Sequence, residues 1–242
     1  MKIIVLGDTH GRDNWKKIVA ENTFDKVVFI GDYFDSHDGI SAKDQISNFE
    51  DLMDYKKANM DKVVLLIGNH DFHYLSAIHE QYSGFQRWSA FDIRILLEEA
   101  LREDLLQMCF IDGDYIFTHA GVTKTWLAST QYKDGVPIDE HINTIFKERP
   151  QMFEFNMGTN YSQYGDDVCQ SPIWVRPYSL TEDGIDGFAQ IVGHTTVDTI
   201  TIIQNKIILI DTLGTSGEFL IIQNDKIAGR YYNRAESFKK LM

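Results

Sequence analysis

Ile3-Ile4-Val5-Leu6-Gly7-Asp8-Thr9-His10 joins an unbroken apolar run to a glycine, a carboxylate and an imidazole. A short apolar run without polar alternation reads as a strand buried on both faces. The same junction recurs along the chain. Val27-Val28-Phe29-Ile30-Gly31 leads to Asp32, and Val63-Val64-Leu65-Leu66-Ile67-Gly68 leads to Asn69. Tyr115-Ile116-Phe117-Thr118 leads to His119, and Ile191-Val192-Gly193 leads to His194. Each time a residue able to bind a metal follows the strand at once. A glycine precedes four of these five residues, which lets the backbone approach a ligand closely.

Helical patterns lie between the early strands. Ser41-Ala42-Lys43-Asp44 reads as a helix start, with Ile46, Phe49 and Met53 following at helical spacing. Phe85, Trp88, Phe91 and Ile95 form a second stripe, expected to face the core. Strands alternating with helices predict an α/β fold, in which ligands bind beyond the carboxyl ends of the strands. Towards the C-terminus, Gln204-Asn205 and Asn224-Asp225 each sit between two apolar runs, predicting two hairpins and most simply a second sheet. All four prolines lie between His119 and His194, with Trp126, Tyr132, Phe153, Phe155, Tyr161, Tyr164, Trp174 and Tyr178. This predicts one domain over residues 1–242 with an aromatic, proline-containing lobe at about 123–188. That lobe either carries a small core of its own or shapes the substrate site.

Composition narrows the function. The chain has 242 residues, 43% of them hydrophobic, and a formal net charge of -13. This suits a globular enzyme and disfavours broad nucleic-acid binding. Cys109 and Cys169 show no zinc or redox spacing, so two buried or half-buried thiols in a reducing, cytoplasmic compartment are expected. The opening apolar run is too short for a signal peptide or a membrane span.

Asp8, His10, Asp32, Asn69, His119 and His194 make a mixed oxygen and nitrogen donor set. Such a set suits manganese, iron, zinc, cobalt or nickel; it is too rich in nitrogen for calcium and lacks the thiolates of a structural zinc site. Six donors exceed the need of one tetrahedral ion and serve two ions if a carboxylate is shared. Two ions roughly 3.5–4 Å apart would make a bound water acidic enough to attack near neutral pH.

Gly7-Asp8-Thr9-His10-Gly11, Gly31-Asp32-Tyr33-Phe34-Asp35, Gly68-Asn69-His70-Asp71, Thr118-His119-Ala120-Gly121 and Gly193-His194-Thr195 stand in this order. Together they resemble the calcineurin-like metallophosphoesterase superfamily, most closely its phosphoprotein phosphatase branch, which includes the dinucleoside tetraphosphatases. The resemblance implies a four-layer α/β/β/α sandwich with two central mixed sheets. It assigns Asp8 and His10 to the first metal, Asn69, His119 and His194 to the second, and Asp32 to both. By the same match His70 protonates the leaving oxygen, and Asp35 orients His70. Many members carry a histidine two residues after His194, where this chain has Thr196; the phosphoprotein phosphatase branch lacks it too. The phosphate-gripping arginine that follows the second carboxylate in Ser/Thr phosphatases is replaced by Ser36. Arg176, in Trp174-Val175-Arg176-Pro177, and Arg12 are the candidate replacements, since a planar guanidinium suits phosphate oxygens.

The expected activity is therefore metal-dependent hydrolysis, with two divalent ions (manganese foremost), of a phosphomonoester or nucleotide polyphosphate, on a protein or a small molecule. A phosphodiesterase or nuclease on the same site is the alternative among enzymes. A non-catalytic scaffold of the same fold is the alternative outside them; the presence of all six donors and of His70 counts against it.

Overall fold

The computed structural model describes residues 1–159, 165–224, 226–232 and 238–240. Tyr161, Tyr164 and Asp225 from the sequence patterns above lie outside the described residues. The first three apolar runs form parallel strands β1 (Lys2–Leu6), β2 (Lys26–Phe29) and β3 (Val63–Leu66), with β4 (Leu106–Gln107) parallel at one edge. On the other side of β1, antiparallel β10 (Glu218–Gln223), β11 (Lys226–Tyr231) and β12 (Phe238–Lys240) complete a sheet ordered β12-β11-β10-β1-β2-β3-β4. A second sheet, ordered β5-β6-β7-β9-β8, contains β5 (Phe110–Asp112), β6 (Tyr115–Phe117), β7 (Ala189–Val192), β8 (Thr201–Ile203) and β9 (Ile207–Leu209). Within it β6, β7 and β9 are parallel and the outer pairs antiparallel.

Strand alternation builds the layers. Ile3, Val5, Val28, Ile30, Val64 and Leu66 point between the sheets, against Phe117, Ile191 and Ile208 of the second sheet. Their neighbours Ile4, Leu6, Val27, Phe29, Val63 and Leu65 point the other way. They meet Trp15 and Ile18 of α1 (Asn14–Glu21), Phe49 and Leu52 of α2 (Ala42–Ala58), Phe72 of the one-turn α3 (Asn69–Phe72), and Ile93 and Leu97 of α4 (Ala90–Arg102). Beyond the second sheet, Val192, Ile207 and Leu209 pack on Leu180 of α7 (Pro177–Asp183). The result is an α/β fold of two mixed sheets between helices, as the resemblance implies. Each fully buried Ile, Leu or Phe stabilises by roughly 1.5–3 kcal/mol, so the strand ends stand on a stiff platform.

The start of α2 is as expected: the Ser41 hydroxyl accepts from Asp44 N at 3.2 Å and donates to Asp44 Oδ2 at 2.7 Å. Two other expectations are corrected. The stripe of Phe85, Trp88, Phe91 and Ile95 does not form a core face. Trp88 is 97% exposed and Phe91 69%, because α4 begins at Ala90 and buries Ala90, Ile93, Leu97 and Ala100 instead. The two C-terminal hairpins do not share a sheet. β8–β9 joins the second, turning through Gln204 and Asn205 at positive φ. β10–β11 extends the first, because apolar β10 pairs along β1, with Ile3 opposite Ile222 and Val5 opposite Leu220. Among its described residues the lobe shares the main core. It contains α5 (Lys124–Ser129), α6 (Ile138–Glu148) and a short 3-10 helix (Pro150–Phe153). Its Trp126, Ile142, Phe146, Phe153 and Trp174 belong to the same buried cluster as Leu6 and Phe29.

Candidate functional site

The parallel strands of both sheets end at a common cleft of about 280 Å³. Asp8, His10, Arg12, Asp32, Asn69, His70, Arg176 and His194 line it. His119 is fully buried beneath, with Nε2 3.0 Å from Asn69 Oδ1. Asp35 is buried behind His70. All ten candidate residues thus come to one place.

Backbone conformation aims these side chains. His10, Asp32, Asp35 and His194 all have positive φ, between 44° and 60°, a region that Asp and His enter more readily than most residues. The chain turns sharply out of each strand, and such strain gathers at functional sites. Gly68 and Gly193 permit the closest approaches. A Cβ on Gly68 would lie 2.1 Å from Asp32 Oδ1, and one on Gly193 would lie 2.0 Å from Asp8 Oδ1. The Asp8 carboxylate accepts His194 N–H, at 3.0 Å to Oδ2.

Three imidazoles share one design. His10 Nδ1 lies 2.7 Å from Phe34 O, His119 Nδ1 3.0 Å from Ile30 O, and His194 Nε2 3.2 Å from Trp174 O. A carbonyl only accepts, so the nitrogen facing it carries the proton and the other ring nitrogen is turned inward. His10 Nε2 and His119 Nε2 flank Asp32 Oδ2 at 3.8 and 3.4 Å. His194 Nδ1 lies 2.8 Å from Asn69 Oδ1. Tying one nitrogen to a carbonyl is how metal-binding histidines are held. Two donors each about 2.1 Å from an ion, roughly at right angles, stand about 3 Å apart. The Asn69, His119 and His194 spacings fit that, and donor atoms of Asp8, Asp32 and His119 all lie within 4.8 Å of one another.

Electrostatics point the same way. Burial, then the charges of Asp211 and Asp32, push the Asp8 carboxyl well above its usual range. Burial first, then Arg176 and His119, pushes His194 well below its usual value, leaving a neutral imidazole. For His119 burial opposes charging, but Asp32 and Asp8 outweigh it and raise the group to about 9. A cation would relieve the carboxylates and displace that proton.

A second acid–imidazole group, Asp35, His70 and His73, adjoins the first. Its Asp35 carboxylate is already engaged. Tyr74 Oη donates to Oδ1 at 2.5 Å and Gln86 Nε2 at 3.0 Å, while His70 Nδ1 lies 2.9 Å and His73 Nε2 2.8 Å from Oδ2. Burial would raise the Asp35 carboxyl, but the bonds from His70, His73 and Tyr74 win and hold it below its usual range. Burial would lower His70, but Asp32 and Asp35 raise it to about 9. Among the cleft arginines, Arg176 Nη1 donates to His194 O and Thr195 Oγ1, whereas its Nε has no partner. Arg12 is held at Nε by Asp38 and at Nη1 by Asp8 O and Thr9 O.

The family model for calcineurin-like phosphoesterases matches residues 1–198. This chain belongs to that family. A comparison with curated protein sequences finds no match. Among solved structures, a cold-active protein-tyrosine phosphatase of the psychrophile Shewanella sp. is similar at 19% identity and TM-score 0.66, covering 100% of this chain and 80% of that one. A protein serine/threonine phosphatase from Saccharomyces cerevisiae is similar at 15% identity and TM-score 0.56, covering 99% and 82%. A metallophosphoesterase from Sphaerobacter thermophilus is similar at 13% identity and TM-score 0.51, covering 99% and 90%. At these identities the likeness is one of fold.

Several residues of this calcineurin-like site escape a reading of the sequence. Asp71 is fully buried and accepts from Asp32 N, Tyr33 N and Gly68 N at 2.8, 2.7 and 3.0 Å, tying the ends of β2 and β3 together. It adjoins His70, and that adjacency was its only signal. His73, Tyr74 and Gln86 carry no local pattern that would link them to Asp35. His37, visible in the sequence beside Ser36 but open to either a role or solvation there, lines the cleft, its ring centroid 5.4 Å from that of His10.

Proposed function

We propose that this chain is a dinuclear, metal-dependent phosphatase acting on a phosphomonoester or a nucleotide polyphosphate. The observation that carries the reading is the shared design of His10, His119 and His194. Each ties one ring nitrogen to a backbone carbonyl and turns the other towards Asp8, Asp32 and Asn69. Asp8, His10 and Asp32 would hold one ion. Asn69, His119, His194 and Asp32 would hold the other. The sharing of Asp32 is supported by its Oδ2, which lies between His10 Nε2 and His119 Nε2. Manganese suits this oxygen and nitrogen set, as do iron, zinc, cobalt and nickel. When bound, two such ions supply positive charge opposite the phosphoryl oxygens and make a water acidic enough to attack near neutral pH.

The protein's own groups complete the reaction. His70 donates from Nδ1 to Asp35, which fixes the ring and leaves Nε2 to protonate the leaving oxygen. In the metal-free protein the carboxylates of Asp32 and Asp35 keep that imidazole charged at neutral pH; Asp35, which holds no ion in this reading, goes on favouring the charged state that an acid needs once metal is bound. Arg176 contacts the phosphoryl oxygens, an assignment supported by its place in the cleft lining beside His194. Arg12, engaged on three oxygens, mainly braces the Asp8 loop and offers what remains of its fork to the substrate. Two free cysteines fit a reducing, cytoplasmic compartment. No helix among the described residues is long and apolar enough to cross a membrane.

The test is a substrate panel on chelator-stripped protein, with and without added manganese. An aryl phosphate, a phosphopeptide, a mononucleotide, a dinucleoside polyphosphate and an aryl phosphodiester make up the panel. Metal-dependent turnover of a monoester or anhydride is expected. Turnover of the diester alone would favour the nuclease-type reading. Two bound ions with no turnover of any substrate would favour a scaffold.

A further inference from the structure

The dinuclear reading leaves its two ions unequally served. Asn69, His119 and His194 face one ion, whereas only Asp8 and His10 face the other, with Asp32 between. A further buried carboxylate stands on the poorer side. Asp211 is 5% exposed and lines the same cleft as Asp8 and His10. It follows Ile207-Ile208-Leu209-Ile210, so the pattern of an apolar strand ending on a metal-binding residue occurs a sixth time. β9 runs parallel to β7, with Leu209 opposite Val192. Asp211 therefore leaves the second sheet at the same edge as His194.

Its position is fixed on three sides. Ile210 N donates to Val192 O at 2.8 Å. A Cβ on Gly7 would lie 2.2 Å from Ile210 O and 3.1 Å from Asp211 Cα. The bare backbone at Gly7 thus lets the end of β9 close on the end of β1, one residue from Asp8. Thr196 Oγ1 donates to Asp211 Oδ2 at 2.6 Å, engaging one of about four acceptor positions of a carboxylate. After burial, the groups acting most strongly on its charge are Thr196, His10, Asp32 and His119; Arg176, across the same cleft, also feels it.

Resting on the dinuclear reading, we infer that Asp211 is a further anionic group of the ion held by Asp8 and His10, aimed by Thr196. Its oxygens are not among the Asp8, Asp32 and His119 donors that lie within 4.8 Å of one another. It would act from the next layer out, as a negative charge beside that ion. Asp211 balances the histidine-rich side with charge rather than with another imidazole.

The test is manganese binding to the chelator-stripped full chain, with the ions counted by mass spectrometry after dialysis and their coupling read by electron paramagnetic resonance. The unaltered protein should bind two ions and show an exchange-coupled pair. Asp211→Asn keeps the shape of the side chain and should weaken one of the two ions by roughly 10–100-fold. At limiting manganese its spectrum should be that of isolated ions. Thr196→Val should shift the same ion in the same direction by less. Asn69→Ala should weaken the other ion, and the Asp211→Asn/Asn69→Ala pair should weaken both. Two ions bound by Asp211→Asn with unaltered affinities would overturn the inference and leave the dinuclear reading standing. Fewer than two ions on the unaltered protein would overturn both. If Asp211→Asn fails to fold, Thr196→Val decides, and unchanged affinity there overturns the inference.

Discussion

Asp35 shows how much of this site depends on one buried side chain. Its carboxylate collects Tyr74, Gln86, His70 and His73. The hydroxyl of Tyr74 keeps the carboxylate oriented towards His70, so Tyr74 is a positioning residue for the acid. Tyr74→Phe should slow an alkyl phosphate, a poor leaving group, by roughly 3–10-fold. A dinitrophenyl phosphate, which leaves without a proton, should change by less than about twofold, with two ions still bound. Equal losses on both substrates would give Tyr74 a merely structural role. His70 itself can be followed by NMR in the metal-free protein. Its titration should centre near 9 and move down in Asp35→Asn. A value below 6.5 in the unaltered protein would contradict the electrostatics described here.

At the scale of the elements, the strand ends were legible because each is a local event: an apolar run, a turn and a ligand within a few residues. The partners of Asp35 were not, since Tyr74 and Gln86 lie 39 and 51 residues away in sequence. The Phe85 to Ile95 stripe misled because its spacing is helical but begins before α4, so the periodicity belongs partly to a loop. Asp211 was present as a sixth strand end, but Lys206 to Ile210 read first as half of a hairpin, and that hid the parallel pairing of β9 with β7. Asp71 joins β2 to β3 through three backbone N–H groups. Leaving a buried donor unpaired costs about 1–3 kcal/mol each. Asp71→Ala should therefore lose at least about 3 kcal/mol of stability in urea denaturation, and a loss under about 1 kcal/mol would show that the strand ends are held otherwise.

Across the whole molecule, charge and metal are coupled through stability. His70 and His119 are both raised to about 9 from an ordinary 6.5. A group raised on folding contributes stability that is fully present below its unfolded value and lost as the pH rises through the folded one. The metal-free protein should thus lose thermal stability between about pH 7 and pH 9.5, as these two histidines give up their protons. The manganese-loaded protein should keep its melting temperature over that range, because cations take over the neutralisation of Asp8 and Asp32 and bind only the folded state. Parallel curves for the two forms would mean that the carboxylates are not what the ions relieve.

Two ions, held at the ends of strands from both sheets, should both be needed for turnover. Stepwise addition of manganese to chelator-stripped protein, with bound metal and hydrolysis of an aryl phosphate measured on the same samples, tests it most directly. The rate should stay near zero through the first equivalent and rise with the second. Full turnover with one ion or none would mean that a single ion, or the protein alone, carries the reaction.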